Sequence, residues 1–144
     1  MAKEEICGWG GYPKHEAEVL TPSSCTSIQS EIKIQTSLIA RGMGRSYGDS
    51  ANASMVLQTT SCDHFLKFDV VTGLLTAEAG ITVRDILKVI VHQGWFLPVS
   101  PGTSYVTLGG AIASDVHGKN HHIAGTFGKY VVIPALKACT GHFS

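Results

Sequence analysis

Residues 101–122 read PGTSYVTLGGAIASDVHGKNHH, and most of what the sequence predicts starts from this stretch. A proline-glycine turn leads into Gly109-Gly110 and a run of small residues, which allow backbone to come close to a large, flat molecule. A cluster of cationic and proton-carrying side chains follows between His117 and His122. Small residues beside such a cluster indicate a wall of a cofactor site. The amides of residues 107–110 are expected to face a ligand at the start of a helix, where the helix dipole favours anions.

A second glycine-rich loop lies upstream, at residues 40–50, and reads ARGMGRSYGDS. Gly42, Gly44 and Gly48 can adopt positive φ at little cost, and consecutive backbone amides in such a loop form a nest for anions. Two arginines, a serine and a tyrosine add further donors for phosphate. The glycine spacing matches neither the Rossmann fingerprint nor the P-loop. A tight turn without a ligand remains the alternative for this loop alone.

Three interpretations remain open for His117, His121 and His122. Histidines four residues apart share a face only on a helix, and Gly118 and Asn120 argue against a helix there. No acidic third ligand has a convincing spacing, so we predict no metal site. An exposed polar loop without function is the second interpretation. A wall for cofactor or substrate is favoured, because a similar donor-rich loop occurs upstream.

Composition narrows the class of protein. The 144 residues are 44% apolar and 15% charged, which is typical of one globular domain. Basic and acidic residues number 11 each, so a general nucleic-acid binder is not expected. Acids stand where a signal peptide has its apolar core, and no apolar run could span a membrane. A cytoplasmic protein is predicted, with peripheral membrane contact left open. The four cysteines lack a CxxC pair and are expected to be reduced thiols.

Local patterns predict an α+β fold. A strand at 18–21, a helix at 25–34 capped by Ser23 or Ser24, and a strand at 37–40 form a small parallel β-α-β unit. Residues 1–15 are expected to be an irregular arm. Thr82 is the predicted N-cap of a helix that Gly94 ends. The other predicted elements are a strand at 55–58, a hairpin of 65–70 with 74–79, helices at 83–92 and 107–113, and an extended segment at 131–136.

The segments ARGMGRSYGDSA and PGTSYVTLGGAIASDVHGKNHHIAGTFG closely resemble the PCMH-type FAD-binding domain of the vanillyl-alcohol oxidase type flavoproteins. Within that family the chain is most similar to the decaprenylphosphoryl-β-D-ribose oxidase group. The resemblance runs from about Gly8 to Gly128. It implies a small parallel βαβ subdomain beside a mainly antiparallel sheet with helices, and FAD between them. It also implies that residues 1–144 are a truncated FAD-binding domain, because the family continues into a substrate cap domain.

The resemblance assigns roles to individual residues. It implies that His117 and Lys119 are catalytic, in the oxidation of a secondary alcohol of a sugar or polyprenyl-phosphate sugar. Many relatives bind flavin covalently through a histidine where this chain has Arg45, so non-covalent FAD is expected unless it is attached to His117. The implied cofactor-binding residues are Ala40, Arg41, Gly42, Met43, Gly44, Arg45, Ser46, Tyr47, Gly48, Asp49, Ser50, Gly102, Thr107, Leu108, Gly109, Gly110, His117, Gly118, Lys119 and Asn120.

Two alternatives to an active oxidoreductase stay open at this point. One is a catalytically inactive remnant that binds FAD weakly or needs a partner chain. The weaker one is a histidine-rich metal-binding module. The expected partners are FAD and a sugar-alcohol substrate, without nucleic acid.

Overall fold

The computed structural model describes residues 3–132, and these form two compact units, residues 3–62 and residues 63–132. The α+β class predicted from the sequence is confirmed, since parallel and antiparallel strand pairs occur together with helices. No helix within residues 3–132 is long and apolar enough to cross a membrane.

The first unit is a four-stranded sheet with one helix. Its elements are β1 (Lys3–Cys7), β2 (Lys14–Leu20), α1 (Cys25–Ile34), β3 (Ile39–Arg41) and β4 (Met55–Gln58). The strand order is β1-β2-β4-β3; β1 runs antiparallel to β2, while β4 runs parallel to both of its neighbours. The predicted β-α-β unit is therefore present, with β4 inserted between its two strands.

Helix α1 has the predicted bounds and the predicted kind of cap. The hydroxyl oxygen of Ser24 accepts the backbone N–H of Ser27 at 3.1 Å, which satisfies an amide that has no partner within the helix. The helix buries Ile28 against Leu20, Leu57 and the thiol-bearing Cys62. Apolar packing of this one face attaches the helix to the sheet.

The prediction of an irregular arm was wrong for residues 3–7. These residues form edge strand β1, and its sequence KEEIC buries only Ile6. An ion pair of 2.7 Å joins Lys14 Nζ to Glu5 Oε1 across the β1–β2 pair. Charged side chains on an edge strand discourage pairing with other chains, and they also conceal the alternation by which a strand is recognised.

The second unit contains a hairpin and several helices. Its elements are β5 (Phe65–Asp69), β6 (Leu74–Ala77), α2 (Val83–Ile90), a 3-10 helix (Val91–Gln93), α3 (Leu108–Ala113), α4 (His121–Ala124) and a second 3-10 helix (Phe127–Tyr130). The predicted hairpin is confirmed, with Phe68 opposite Leu75. Thr82 caps α2, and Gly94 ends the following turn at φ 81°. Of the extended segment predicted at 131–136, residues 131 and 132 have no regular structure, and 133–136 lie outside the described residues.

Two apolar clusters stabilise the second unit. The first joins helix α2 to the hairpin through Ile81, Ile86 and Ile90, and the second surrounds Val99, Ala111 and Phe127. Trp95 packs edge-on against Phe68, with the ring centroids 6.1 Å apart. Its indole N–H donates to the Val70 carbonyl oxygen at 3.1 Å. Trp95 is therefore a packing residue of this unit, and its one polar group has a partner.

Candidate cofactor site

Arg41 holds the two ends of the upstream glycine loop, which follows strand β3. Its guanidinium donates to the carbonyl oxygen of Ala51 at 3.1 Å and to Asn52 Oδ1 at 2.8 Å. It also donates to the carbonyl oxygen of Cys7, at the end of β1, at 2.8 Å. Burial lowers the pKa of this guanidinium from its usual value. In this structure, Arg41 shapes the loop through these hydrogen bonds.

The loop between these anchors leaves a row of backbone amides without protein partners. Gly44 and Gly48 have φ of 63° and 57°, values typical of the turns in which consecutive amides form an anion nest. Within residues 3–132, the amides of residues 42–44 and 46–49 donate no hydrogen bond to another protein group. Ser46 Oγ is covered and also lacks a partner. The covered Ser46 Oγ is the group of this loop that most needs a partner, whereas the amides of its exposed residues can donate to water or to a ligand.

The rim of the loop carries larger side chains. The Arg45 guanidinium lies over the Trp9 ring, with Cζ 5.1 Å from the ring centroid. Tyr47 and Met43 are exposed by 81% and 41%. Ala40 is exposed in β3, while Asp49 and Ser50 belong to the turn that closes the loop, where Ser50 Oγ donates to the Tyr47 carbonyl oxygen at 2.9 Å.

The start of α3 does not have the free amides that the sequence led us to expect. The N–H groups of Leu108 and Gly109 donate to the carbonyl oxygens of Ile81 and Ala79, at 2.7 and 2.8 Å. The N–H of Gly110 donates to Thr107 Oγ1 at 3.1 Å. An anion therefore finds none of these three amides unpaired, because all of them join α3 to other backbone or to its cap. Their assignment to the cofactor stays a prediction, and these backbone donors do not support it.

Glycine at position 109 is required by close packing. A Cβ there would lie 3.0 Å from Ala79 Cβ and 3.1 Å from the Ala79 carbonyl oxygen. By contrast, Gly102 is exposed, and a Cβ there would meet nothing within 4 Å. Both glycines were assigned to the cofactor. Packing against Ala79 leaves no room for a side chain at Gly109, whereas a side chain at Gly102 would meet no neighbour.

The segment from His117 to His122 forms an exposed surface of the second unit. His117 pairs with Thr126 in an isolated β-bridge, and Lys119 is exposed. Asn120 Nδ2 donates to the Pro98 carbonyl oxygen at 3.0 Å. A Cβ at Gly118 would lie 2.9 Å from the Ser100 carbonyl oxygen, so this backbone packs closely on the preceding loop. The exposed side chains of His117 and Lys119 thus project from a backbone that is held in place.

The histidine rings lie close together. The ring centroids of His117 and His121 are 5.1 Å apart, and those of His121 and His122 are 3.8 Å apart. Helix α4 begins only at His121, so the expectation that no helix joins His117 to His121 is confirmed. Within residues 3–132, no group of three or more histidine, cysteine or acidic side chains has the arrangement of a metal site.

Sequence reasoning missed the turn between β1 and β2 as part of the glycine-loop structure. The Trp9 N–H donates to the Ser46 carbonyl oxygen at 2.9 Å, and a Cβ at Gly8 would lie 2.5 Å from the Gly48 carbonyl oxygen. The signal was present as GWGG at residues 8–11, since glycines around one tryptophan indicate close backbone packing.

A loop of unpaired amides with cationic side chains fits the diphosphate of a dinucleotide cofactor. The comparisons with known proteins agree with this chemistry. A family model described as "FAD binding domain" matches residues 13–136. The chain belongs to this FAD-binding family, its cofactor is FAD, and the fold is of the PCMH type.

Two curated relatives are similar in sequence to this chain. The chain is 37% identical to decaprenylphosphoryl-beta-D-ribose oxidase of Mycolicibacterium smegmatis over 96% of this chain and 32% of that protein. It is 24% identical to L-gulonolactone oxidase 5 of Arabidopsis thaliana, over 76% of this chain and 18% of the relative. The chain thus spans about a third or less of the length of these two relatives.

Solved structures show the same fold at lower sequence identity. An alkyldihydroxyacetonephosphate synthase superposes with a TM-score of 0.68 at 20% identity, over 85% of this chain and 24% of the other. Cholesterol oxidase from Brevibacterium sterolicum gives a TM-score of 0.66 at 16% identity, over 81% of this chain and 24% of the other. The chain is therefore an FAD-binding domain of the kind found in FAD-dependent oxidoreductases.

Proposed function

We propose that this chain provides the FAD site of an oxidoreductase that oxidises a secondary alcohol of a sugar or polyprenyl-phosphate sugar. The observation that carries the proposal is the row of amides without a protein acceptor at residues 42–44 and 46–49, in a chain from the FAD-binding family. The substrate class rests on the name of the relative from Mycolicibacterium smegmatis, which contains a ribose and a decaprenyl phosphate.

The glycine loop of the first unit is the proposed diphosphate site. Its amides donate to phosphate oxygens, and Ser46 Oγ adds a hydroxyl donor after a small adjustment of the loop that uncovers it. Arg45 contributes a charge-assisted hydrogen bond from the rim. Arginine does not form the flavin bond expected of a histidine at this position, so we propose that FAD is held without a covalent bond.

The exposed HGKNHH segment (residues 117–122) is the proposed catalytic surface. FAD, if bound beside this surface, would supply the acceptor for the hydride of the alcohol carbon. His117 is proposed to receive the hydroxyl proton, which an imidazole can do when it is neutral. The Lys119 ammonium is proposed to donate a hydrogen bond to the same oxygen as negative charge develops there. Close packing of Gly118 and the bond from Asn120 to Pro98 hold the backbone that carries both groups.

Binding is tested first, by titrating the purified chain with FAD and measuring the flavin retained on ultrafiltration. We expect saturable binding, with all flavin released when the protein is denatured. A chain that retains no FAD would contradict the proposed site. Flavin that stays with the denatured protein would contradict the non-covalent attachment.

Catalysis is tested by mixing the FAD-loaded chain with secondary sugar alcohols and following loss of the oxidised flavin absorbance. Lys119→Ala is expected to slow this bleaching by about 100-fold, since removal of one positioned hydrogen-bond donor to a developing negative charge costs about that much. Lys129→Ala is the matched control, because Lys129 is an exposed lysine of the same unit outside the HGKNHH segment. Equal rates in both variants, or no bleaching by any alcohol, would contradict the proposed oxidation.

A further inference from the structure

The backbone of His117 is held by the segment that follows helix α4. His117 pairs with Thr126 in an isolated β-bridge, and the Phe127 N–H donates to the Val116 carbonyl oxygen at 2.8 Å. Phe127 is itself buried in the second apolar cluster of this unit. These contacts fix the point from which the His117 side chain projects, but they do not fix the direction of its imidazole.

The imidazole of His117 has no hydrogen bond of its own. It is exposed, and within residues 3–132 neither ring nitrogen donates to or accepts from another protein group. An exposed side chain with two rotatable bonds can occupy several rotamers. A base must lie within hydrogen-bonding distance of the proton that it accepts, so an imidazole that rotates freely would have the required geometry for only part of the time.

The ring of His121 lies against this imidazole. Its centroid is 5.1 Å from that of His117, and the two ring planes are inclined by 59°. Distances of this size are typical of aromatic rings in contact. A ring in this position excludes the rotamers of His117 that would overlap with it, so it limits the directions that the imidazole can take.

The ring of His121 is itself held in place. Its Nδ1 lies 3.2 Å from the Gly118 carbonyl oxygen, and because a carbonyl oxygen can only accept, Nδ1 carries a proton and donates it. The centroid of the His122 ring lies 3.8 Å away, at an interplanar angle of 39°. His121 is also the first residue of helix α4. A hydrogen bond, a second ring and a helix start therefore restrain the residue that contacts His117.

We propose that His121 is a positioning residue for His117. Its ring restricts the imidazole of His117 to the directions in which it can meet a substrate, and the hydrogen bond to Gly118 keeps that ring in place. This inference rests on the proposed function of His117 as the base. It gives a role to a histidine that has none in the proposed function.

The position of His117 is tested by NMR on the chain without cofactor or substrate. Three-bond couplings from the backbone to Cγ report which χ1 rotamers a histidine occupies. We expect one predominant rotamer of His117 in the unaltered chain and averaged couplings in His121→Ala. His121→Phe keeps a flat ring and should average them less. His92→Ala is the matched control, because His92 is an exposed histidine of the same unit outside residues 117–122, and it should change nothing.

The consequence for the reaction is tested by bleaching of the flavin in the FAD-loaded chain. His121→Ala is expected to lower the limiting rate about tenfold, because displacement of a reacting group by about 1 Å can cost about 100-fold. The alcohol concentration at half-saturation should stay the same, since His121 does not touch the substrate. In a His117→Ala background, His121→Ala should cause no further loss.

Three results would overturn the inference. One is averaged couplings of His117 in the unaltered chain, and another is a single rotamer that persists in His121→Ala. The third is a loss of rate from His121→Ala that is equal with and without His117. If no alcohol bleaches the flavin, the proposed function fails, while the couplings measured without cofactor still decide whether His121 holds His117.

Discussion

Removal of the Arg41 guanidinium is the sharpest test of how the glycine loop is built. In Arg41→Met the side chain keeps much of its length but loses three hydrogen bonds, to the Cys7 and Ala51 carbonyl oxygens and to Asn52 Oδ1. A hydrogen bond to a charged group is worth about 1.5–3 kcal/mol, but desolvation of the part-buried guanidinium opposes this gain. We expect a net loss of about 2–3 kcal/mol in the stability of the first unit.

Hydrogen–deuterium exchange is the appropriate assay, because it reports residues 3–20 separately from the second unit. Faster exchange of the β1 and β2 amides is expected, by about 30- to 150-fold for that loss of free energy. Exchange in Arg41→Lys should be faster than in the unaltered chain but slower than in Arg41→Met. A single ammonium cannot donate to acceptors at both ends of the loop, as the guanidinium does. Lys33→Met is the control, because Lys33 is an exposed residue of α1 in the same unit, and it should change exchange little. Unchanged exchange of residues 3–20 in Arg41→Met would refute the assignment of Arg41 as the residue that fastens the loop.

Two further predictions concern the second unit. The pKa of His64 is raised from its ordinary value of 6.5 by the hydrogen bond and charge of Glu78, 2.6 Å away, and an NMR titration should show it fall in Glu78→Gln. The raised pKa stabilises the fold below pH 6.5, and this contribution is lost as the pH rises through the folded-state pKa of His64. The pKa of Glu78 is lowered, chiefly by the backbone N–H of His64, so its contribution is present above pH 4.5 and is lost on acidification. The His64–Glu78 pair should therefore stabilise the fold most between pH 4.5 and 6.5. An unchanged pKa of His64 in Glu78→Gln would contradict the interaction between the two side chains. Separately, Gly109→Ala should cost about 1–3 kcal/mol in urea unfolding, because its Cβ crowds Ala79, while Gly102→Ala should be nearly neutral. Equal midpoints for these two variants would show that the close approach at Gly109 is not needed.

Elements with a strong local signal could be predicted from the sequence. Helix α1 has a serine cap followed by a helical run, and helix α2 combines the Thr82 cap with apolar residues at helical spacing. Strand β1 has no such signal, because only Ile6 of its five residues is buried, and its place depends on pairing with β2. The insertion of β4 between β2 and β3 is also a non-local pairing, which the order of elements along the chain does not reveal.

The site was predicted in part for the same reason. Chemical type and glycine content identified the upstream loop, and the unpaired amides there agree with the anion nest expected from positive φ at Gly44 and Gly48. The partners of Arg41 could not be predicted, because Cys7 lies 34 residues away in the chain. The amides of Leu108 and Gly109 were expected to face a ligand, but their acceptors lie in the segment after β6. The spacing of residue types within a short stretch of sequence does not indicate acceptors that lie so far away in the chain.

The two glycine-rich stretches use the same residue for different physical purposes. In the upstream loop, Gly44 and Gly48 provide backbone angles at which several amides have no protein acceptor, so a ligand can accept from them. Near α3, Gly109 and Gly118 allow the backbone to pack closely on neighbouring residues, and the amides of Leu108, Gly109 and Gly110 already have acceptors. The first stretch is therefore suited to bind the charged part of the cofactor. The second is suited to hold a rigid surface, from which His117 and Lys119 project.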